Sequence, residues 1–128
     1  MAIYKAYNQY KENSILTSTP EELTLMLFNG IVKFIMQSQL AIEENQLEKA
    51  NNAILRAQDI ITELQSTLDT RYEISKSMAL LYDYMQRRLI DANVSKDSKV
   101  LDEVLSYATE LRDTWVQAMK IARKESKA

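Results

Sequence analysis

A single glycine, Gly30, and a single proline, Pro20, stand in a chain of 128 residues, and this scarcity of turn formers is the tightest constraint on the fold. Strand-rich folds need Gly, Pro, Asn or Asp at each chain reversal, so the sequence argues strongly against an all-β architecture. What it offers instead is long stretches of helical periodicity. Leu47, Ala50, Ile54, Ala57, Ile61, Leu64 and Leu68 alternate at spacings of three and four, the seam of a bundle helix. Ile74, Met78, Leu81, Tyr82, Met85, Leu89 and Ala92 form a second such stripe. Leu101, Val104, Ala108, Leu111, Trp115, Ala118 and Ala122 form a third.

A fourth helix is announced by its start. Thr19 is placed to act as N-cap, Pro20 occupies the first helical position, and Glu22 is spaced to close a capping box. From Leu23 to Met36, ten residues are large and apolar, and most of them cover an arc of roughly 220°. A core-facing stripe needs little more than about 100°. Leu25, Phe28, Val32 and Ile35 form one row, and Leu23, Leu27 and Phe34 form another. The helix thus carries apolar surface beyond the needs of one core, and surplus of that kind marks a binding surface.

These segments predict an all-α fold: a single domain built as an antiparallel four-helix bundle, with helices over 20–43, 46–69, 71–93 and 98–123. Asn45 with Glu48, and Thr70 with Glu73, are spaced as capping boxes for the second and third helices. Lys120, Arg123, Lys124 and Lys127 suit the negative pole at the end of the last. Residues 1–18 are expected to form a short helix or cap over the bundle. Ile3, Tyr7 and Tyr10 lie on one helical face, and Tyr4 adds a further aromatic.

Composition narrows function by exclusion. With no Cys and no His, there is no disulfide framework, no thiolate or imidazole metal site and no His-based catalytic triad. No phosphate-binding glycine loop is present, so neither enzyme activity nor a cofactor is expected. A net charge of −2 gives none of the basic footprint of a nucleic-acid binder. Apolar runs break well before about 18 residues, and no basic start precedes an apolar run, so neither a membrane span nor a signal peptide is expected, and the expected location is cytoplasmic. Arg87 and Arg88 read as partners of Asp83 and Asp91 on the helix surface. Glu21–Glu22 and Glu43–Glu44 read as solvated acids at helix ends. Leu80 and Tyr84, four apart and about 100° from the main stripe, either widen the core or line an external groove.

Four segments carry a resemblance to the flagellar export chaperones of the FliS family. They are Ala6–Tyr7 followed by Leu16–Thr17 and Thr19–Pro20–Glu21–Glu22–Leu23; Leu25–Met26–Leu27–Phe28–Asn29–Gly30; Leu81–Tyr82–Asp83–Tyr84–Met85 with Arg87–Arg88–Leu89 and Ala92–Asn93; and Leu111–Arg112–Asp113–Thr114–Trp115. They run essentially end to end at matching spacings. One departure is Arg71–Tyr72–Glu73–Ile74, where relatives often carry Gly-Gly-Glu-Ile.

The resemblance implies a protein that binds the disordered C-terminal segment of flagellin one-to-one. It would prevent premature polymerisation and present the cargo to the cytosolic domain of the flagellar type III export gate. The expected groove residues are Ile15, Leu16, Leu25, Phe28, Val32, Leu80 and Tyr84. Tyr4, Tyr7 and Tyr10 are expected in the cap, with Tyr7 as a contact for the export gate. The alternative reading is a bundle that self-associates through its spare apolar face and carries no flagellin.

Overall fold

The computed structural model describes residues 18–127, with four helices and no strand among them. They are α1 (Pro20–Glu43), α2 (Leu47–Ser66), α3 (Ile74–Ser95) and α4 (Ser98–Lys127). The expected N-terminal cap, with Tyr4, Tyr7, Tyr10, Ile15 and Leu16, lies outside the described residues. Helix α1 packs on α2 and α4, and α3 packs on the same two. Short connections at 44–46 and 96–97 make sequential helices antiparallel neighbours.

Local chemistry sets the helix ends. Thr19 Oγ1 accepts the Glu22 amide at 3.2 Å, which satisfies one orphan donor of α1, and Pro20 follows at the first helical position. The expected capping box of Asn45 and Glu48 does not form. Asn45 instead adopts a left-handed conformation, with φ of 57°, as the residue that closes α1. Its amide donates to Ile42 O at 3.0 Å and the Gln46 amide to Ala41 O at 2.7 Å, a Schellman closure. Asn tolerates that backbone better than most residues, so its short amide serves the helix end and not the next start. Gln46 becomes the N-cap of α2 with no side-chain bond. The expected box of Thr70 and Glu73 is likewise absent. Glu73 is the N-cap of α3, in helical conformation and without a side-chain bond. Asp69 takes the local donors, accepting the Arg71 amide at 3.0 Å and pairing with its guanidinium at 2.6 Å.

The core runs through Ile31, Ile35, Ile54, Ile61, Met85, Leu89, Leu101 and Val104, all fully buried. Gly30 permits a close approach of α1 to α2, since a Cβ there would lie 2.8 Å from Ile60 Cδ1. The surplus apolar arc of α1 is largely consumed because the helix has two neighbours. Phe28, Val32 and Ile35 are buried, and Leu27 and Phe34 pack partly buried against the same cluster. By length and mean hydropathy, 1.4 over its most apolar stretch, α1 could cross a membrane, contrary to the reading of its broken apolar runs. It is also the core helix of this bundle, and 33% of that stretch is buried.

The α2–α3 seam is polar by comparison. Gln86 Nε2 donates to Gln58 O at 3.0 Å and to Thr62 Oγ1 at 3.1 Å, and Asn93 Nδ2 donates to Asn51 Oδ1 at 2.7 Å. Gln86 Oε1 is buried without a partner among the described residues.

Candidate functional site

Packing is tight at the end of the bundle where α3 turns into α4 and loosens toward the other. In α4 the buried series Leu101, Val104, Ala108 stops there; no later residue through Ser126 is fully buried. In α3, Tyr82 is buried, Met78 is half-buried and Ile74 is 71% exposed. The two helices therefore part at the same end, and a groove of about 530 Å³ opens between them. Its walls are Ile74, Met78 and Leu81 from α3 and Tyr107, Leu111, Trp115 and Ala118 from α4, with Phe28 of α1 beneath. Glu110 and Thr114 are the polar groups on the lining. From Tyr107 to Ala118 the groove follows α4 for about 17 Å, roughly three helical turns.

Trp115 is the hinge of this arrangement. Its ring meets Phe28 edge to face, with centroids 6.2 Å apart and an interplanar angle of 68°. Its Nε1–H donates to Glu21 O at 2.9 Å. One side chain thus ties the far half of α4 to the first turn of α1. Such a ring pair contributes about 0.5–1.5 kcal/mol beyond burial.

A polar clamp closes the groove at its inner end. The Tyr84 hydroxyl donates to Glu103 Oε1 at 2.7 Å, Arg88 Nε donates to the same oxygen at 3.1 Å, and the Tyr84 ring stands perpendicular to Tyr107 with centroids 6.0 Å apart. The Tyr84 hydroxyl and the Arg88 guanidinium hold the Glu103 carboxyl below its usual range. In return the Glu103 carboxylate raises Tyr84 and Arg88, so the clamp carries a settled charge state near neutral pH. Arg87 pairs with Asp83 and Arg88 with Asp91, as their spacing implied. The reach of Arg88 across to Glu103 on α4 was not legible from spacing. The Tyr82 hydroxyl is pushed up to about 12 by burial.

The structure does not gather the expected groove residues into one surface. Phe28, at 3% exposure, and Val32, at 8%, belong to the core, with Phe28 also forming the groove floor. A Phe28→Asp change that leaves the bundle folded is incompatible with that burial. Leu25 is half-buried. Leu80, 73% exposed, faces outward on α3, and Tyr84 reaches the groove only through Tyr107. Ile15 and Leu16 lie outside the described residues. Of the groove lining, Phe28 belongs to the expected groove set, whereas Ile74, Met78, Leu81, Leu111, Trp115 and Ala118 carry the spacing of ordinary bundle seam. A length comparison could have revealed them: the α4 stripe continues past Ala108 to Ala122, further than its neighbours extend to cover it.

No cluster of acids fit to hold a metal ion occurs among the described residues. The architecture and the site together define an all-α helical bundle with an open apolar cleft between α3 and α4. The family profile described as flagellar protein FliS matches residues 3–122. The flagellar secretion chaperone FliS of Bacillus subtilis (strain 168) is 48% identical over 125 residues, spanning 98% of this chain and 94% of that protein. That of Salmonella typhimurium is 32% identical over 117 residues, spanning 88% of this chain and 87% of that protein. A solved structure titled as a flagellar chaperone from bacteria superposes with a TM-score of 0.74 at 19% identity, covering 91% of this chain and 97% of the other, and it supports the fold. The chain belongs to the FliS family of flagellar secretion chaperones. The family is one of chaperones, not enzymes.

Proposed function

We propose that this protein is a cytoplasmic export chaperone that binds the disordered C-terminal segment of flagellin one-to-one. By doing so it prevents premature polymerisation and delivers the cargo to the cytosolic domain of the flagellar type III export gate. The observation that carries the reading is the open apolar groove over Phe28, walled by Met78, Leu81, Leu111 and Trp115 in a chain of this family. An amphipathic cargo helix lays its apolar face into such a groove with anchors at helical spacing. Ordering a disordered segment costs about 2–5 kcal/mol or more, so a large contact can be specific and still release its cargo.

The groove is a more economical cargo site than the outer face of Leu80. It already presents half-buried walls on two helices, so a docked helix gains contacts on both sides. Trp115 brings the start of α1 to the edge of this groove, and residues 1–17 precede that start. We place the N-terminal segment, with Tyr4, Tyr7 and Tyr10, as a cover for the groove that cargo displaces, and Tyr7 as the contact for the export gate.

Titration calorimetry against the C-terminal segment of the cognate flagellin tests the cargo reading. A one-to-one complex with a large negative heat-capacity change supports it, and no heat from a well-folded protein overturns it. Deletion of residues 1–17 tests the cover: unchanged cargo affinity together with unchanged binding of a hydrophobic dye would remove it. Normal export by a stable Tyr7→Ala chaperone would remove the gate contact.

A further inference from the structure

Helix α4 is divided by charge along its outer face. At 30 residues it is about 45 Å long, against about 30 Å for the 20 residues of α2, so its far end projects past the bundle. One exposed row runs along it: Glu110, Asp113, Gln117, Lys120, Lys124. The row is acidic before Gln117 and basic after it. Glu110, Lys120 and Lys124 have no ion-pair partner among the described residues, and Asp113, 65% exposed, meets only its neighbour Arg112 at 3.1 Å. Ile121, 57% exposed, lies beside the basic half with Ala118 and Ala122 close by.

A row with this sign pattern is complementary to itself when reversed. We propose that α4 pairs antiparallel with α4 of a second copy of this chain about a two-fold axis at Gln117. That register sets Glu110 against Lys124 of the second copy and Thr114 against Lys120, with Asp113 a helical turn or less from both lysines. Each attraction then occurs twice, as in any isologous contact. Ile121 falls opposite Asp113, next to the Thr114 and Glu110 that edge the groove. A parallel pairing in register would set like charges against each other, so the pattern also fixes the direction. A net charge of −2 for the whole chain adds little repulsion between copies. The second copy is a better occupant than a uniformly acidic partner, because an acidic surface would satisfy the lysines and repel Glu110 and Asp113.

The pairing surface is small and electrostatic, so the dimer is weak and sensitive to salt. It is also distinct from association through a spare apolar face, which salt would not weaken. The contact involves neither Phe28 nor Leu81 but shares Glu110 and Thr114 with the lining of the groove, so self-association is read without cargo present.

Sedimentation equilibrium of the full chain across a concentration series, at roughly 0.01 M and 1 M salt, is the test. Between these the screening length falls from about 30 Å to about 3 Å. The expected result is a concentration-dependent dimer at low salt that dissociates at high salt. Two charge-reversed variants sharpen it: Lys120→Glu with Lys124→Glu, and Glu110→Lys with Asp113→Lys. Each alone should weaken self-association at least about tenfold, because every cross-copy attraction becomes a repulsion. Mixed together, the two variants should re-form a one-to-one heterodimer. The altered side chains are exposed, so helical circular dichroism should be unchanged. A wild-type chain that remains monomeric at low salt overturns the proposal, as does a dimer that survives either reversal.

Discussion

Replacing Trp115 by alanine tests the joint that holds the open end of the bundle together. Removing a fully buried Trp or Phe costs about 3–5 kcal/mol, and the half-buried ring of Trp115 brings that to about 2. The lost bond from Nε1 to Glu21 O adds about 1 kcal/mol. We expect Trp115→Ala to cost about 3 kcal/mol and to lower Tm by about 10 °C for a domain of this size. Trp115→Phe keeps an edge toward Phe28 and loses only the hydrogen bond, so it should cost about 1 kcal/mol. Urea denaturation of both variants measures the two values, and an unchanged slope would confirm that only stability has moved. A cycle with Phe28→Ala should return a coupling of about 1 kcal/mol, because the two rings are in contact. If Trp115→Ala costs less than about 1 kcal/mol, or shows no coupling to Phe28, then Trp115 does not tie α4 to α1 and the account of the groove's outer end is wrong.

Other expectations follow from burial and charge. Phe28→Asp should abolish the cooperative helical transition in circular dichroism, since it places an unpaired carboxylate under Trp115 at 3% exposure. Leu81→Asp, on the groove wall, should weaken binding of the flagellin segment at least about tenfold. Leu80→Asp, at a 73% exposed position, should change stability by less than about 0.5 kcal/mol and leave affinity nearly intact; the reverse ranking in calorimetry would move the cargo site to the outer face of α3. The Glu103 carboxyl is held low in the folded state by Tyr84 and Arg88, so its stabilising effect is present above its unfolded pKa and lost as pH falls through the folded one. Wild type should therefore exceed Glu103→Gln in Tm at neutral pH and converge with it below about pH 4. Tyr82 carries the opposite sign. Its folded pKa, about 12, stands above the ordinary tyrosine value of 10.0, so its contribution is full below about pH 10 and fades above it, and Tyr82→Phe should flatten that part of an alkaline stability profile.

Comparison of particular residues shows where reading the sequence succeeds. The N-cap role of Thr19 was legible because capping is a local event: one hydroxyl, one amide, three residues apart. The same rule failed at Asn45 and at Thr70, where helix closure and a local Asp69–Arg71 pair claimed the polar groups first. The α3 stripe of Tyr82, Met85, Leu89 and Ala92 is buried as its spacing demanded. Ile74 and Met78 carry the same spacing and are not fully buried, because periodicity says which way a residue faces and not whether anything stands opposite.

The sequence by itself determined that this chain is helical, where its helices lie in broad outline, that it has no His or Cys for imidazole or thiolate chemistry, and which family it belongs to. Those properties rest on local spacing, composition and the order of residues. Only the tertiary structure decided how the apolar surface of α1 is divided between α2 and α4, and that the uncovered surface falls between α3 and α4 over Phe28. Covering an apolar stripe depends on the relative lengths and positions of helices distant in sequence. The overhang of α4 past its neighbours, fixed by the Trp115 bond to the first turn of α1, sets that boundary.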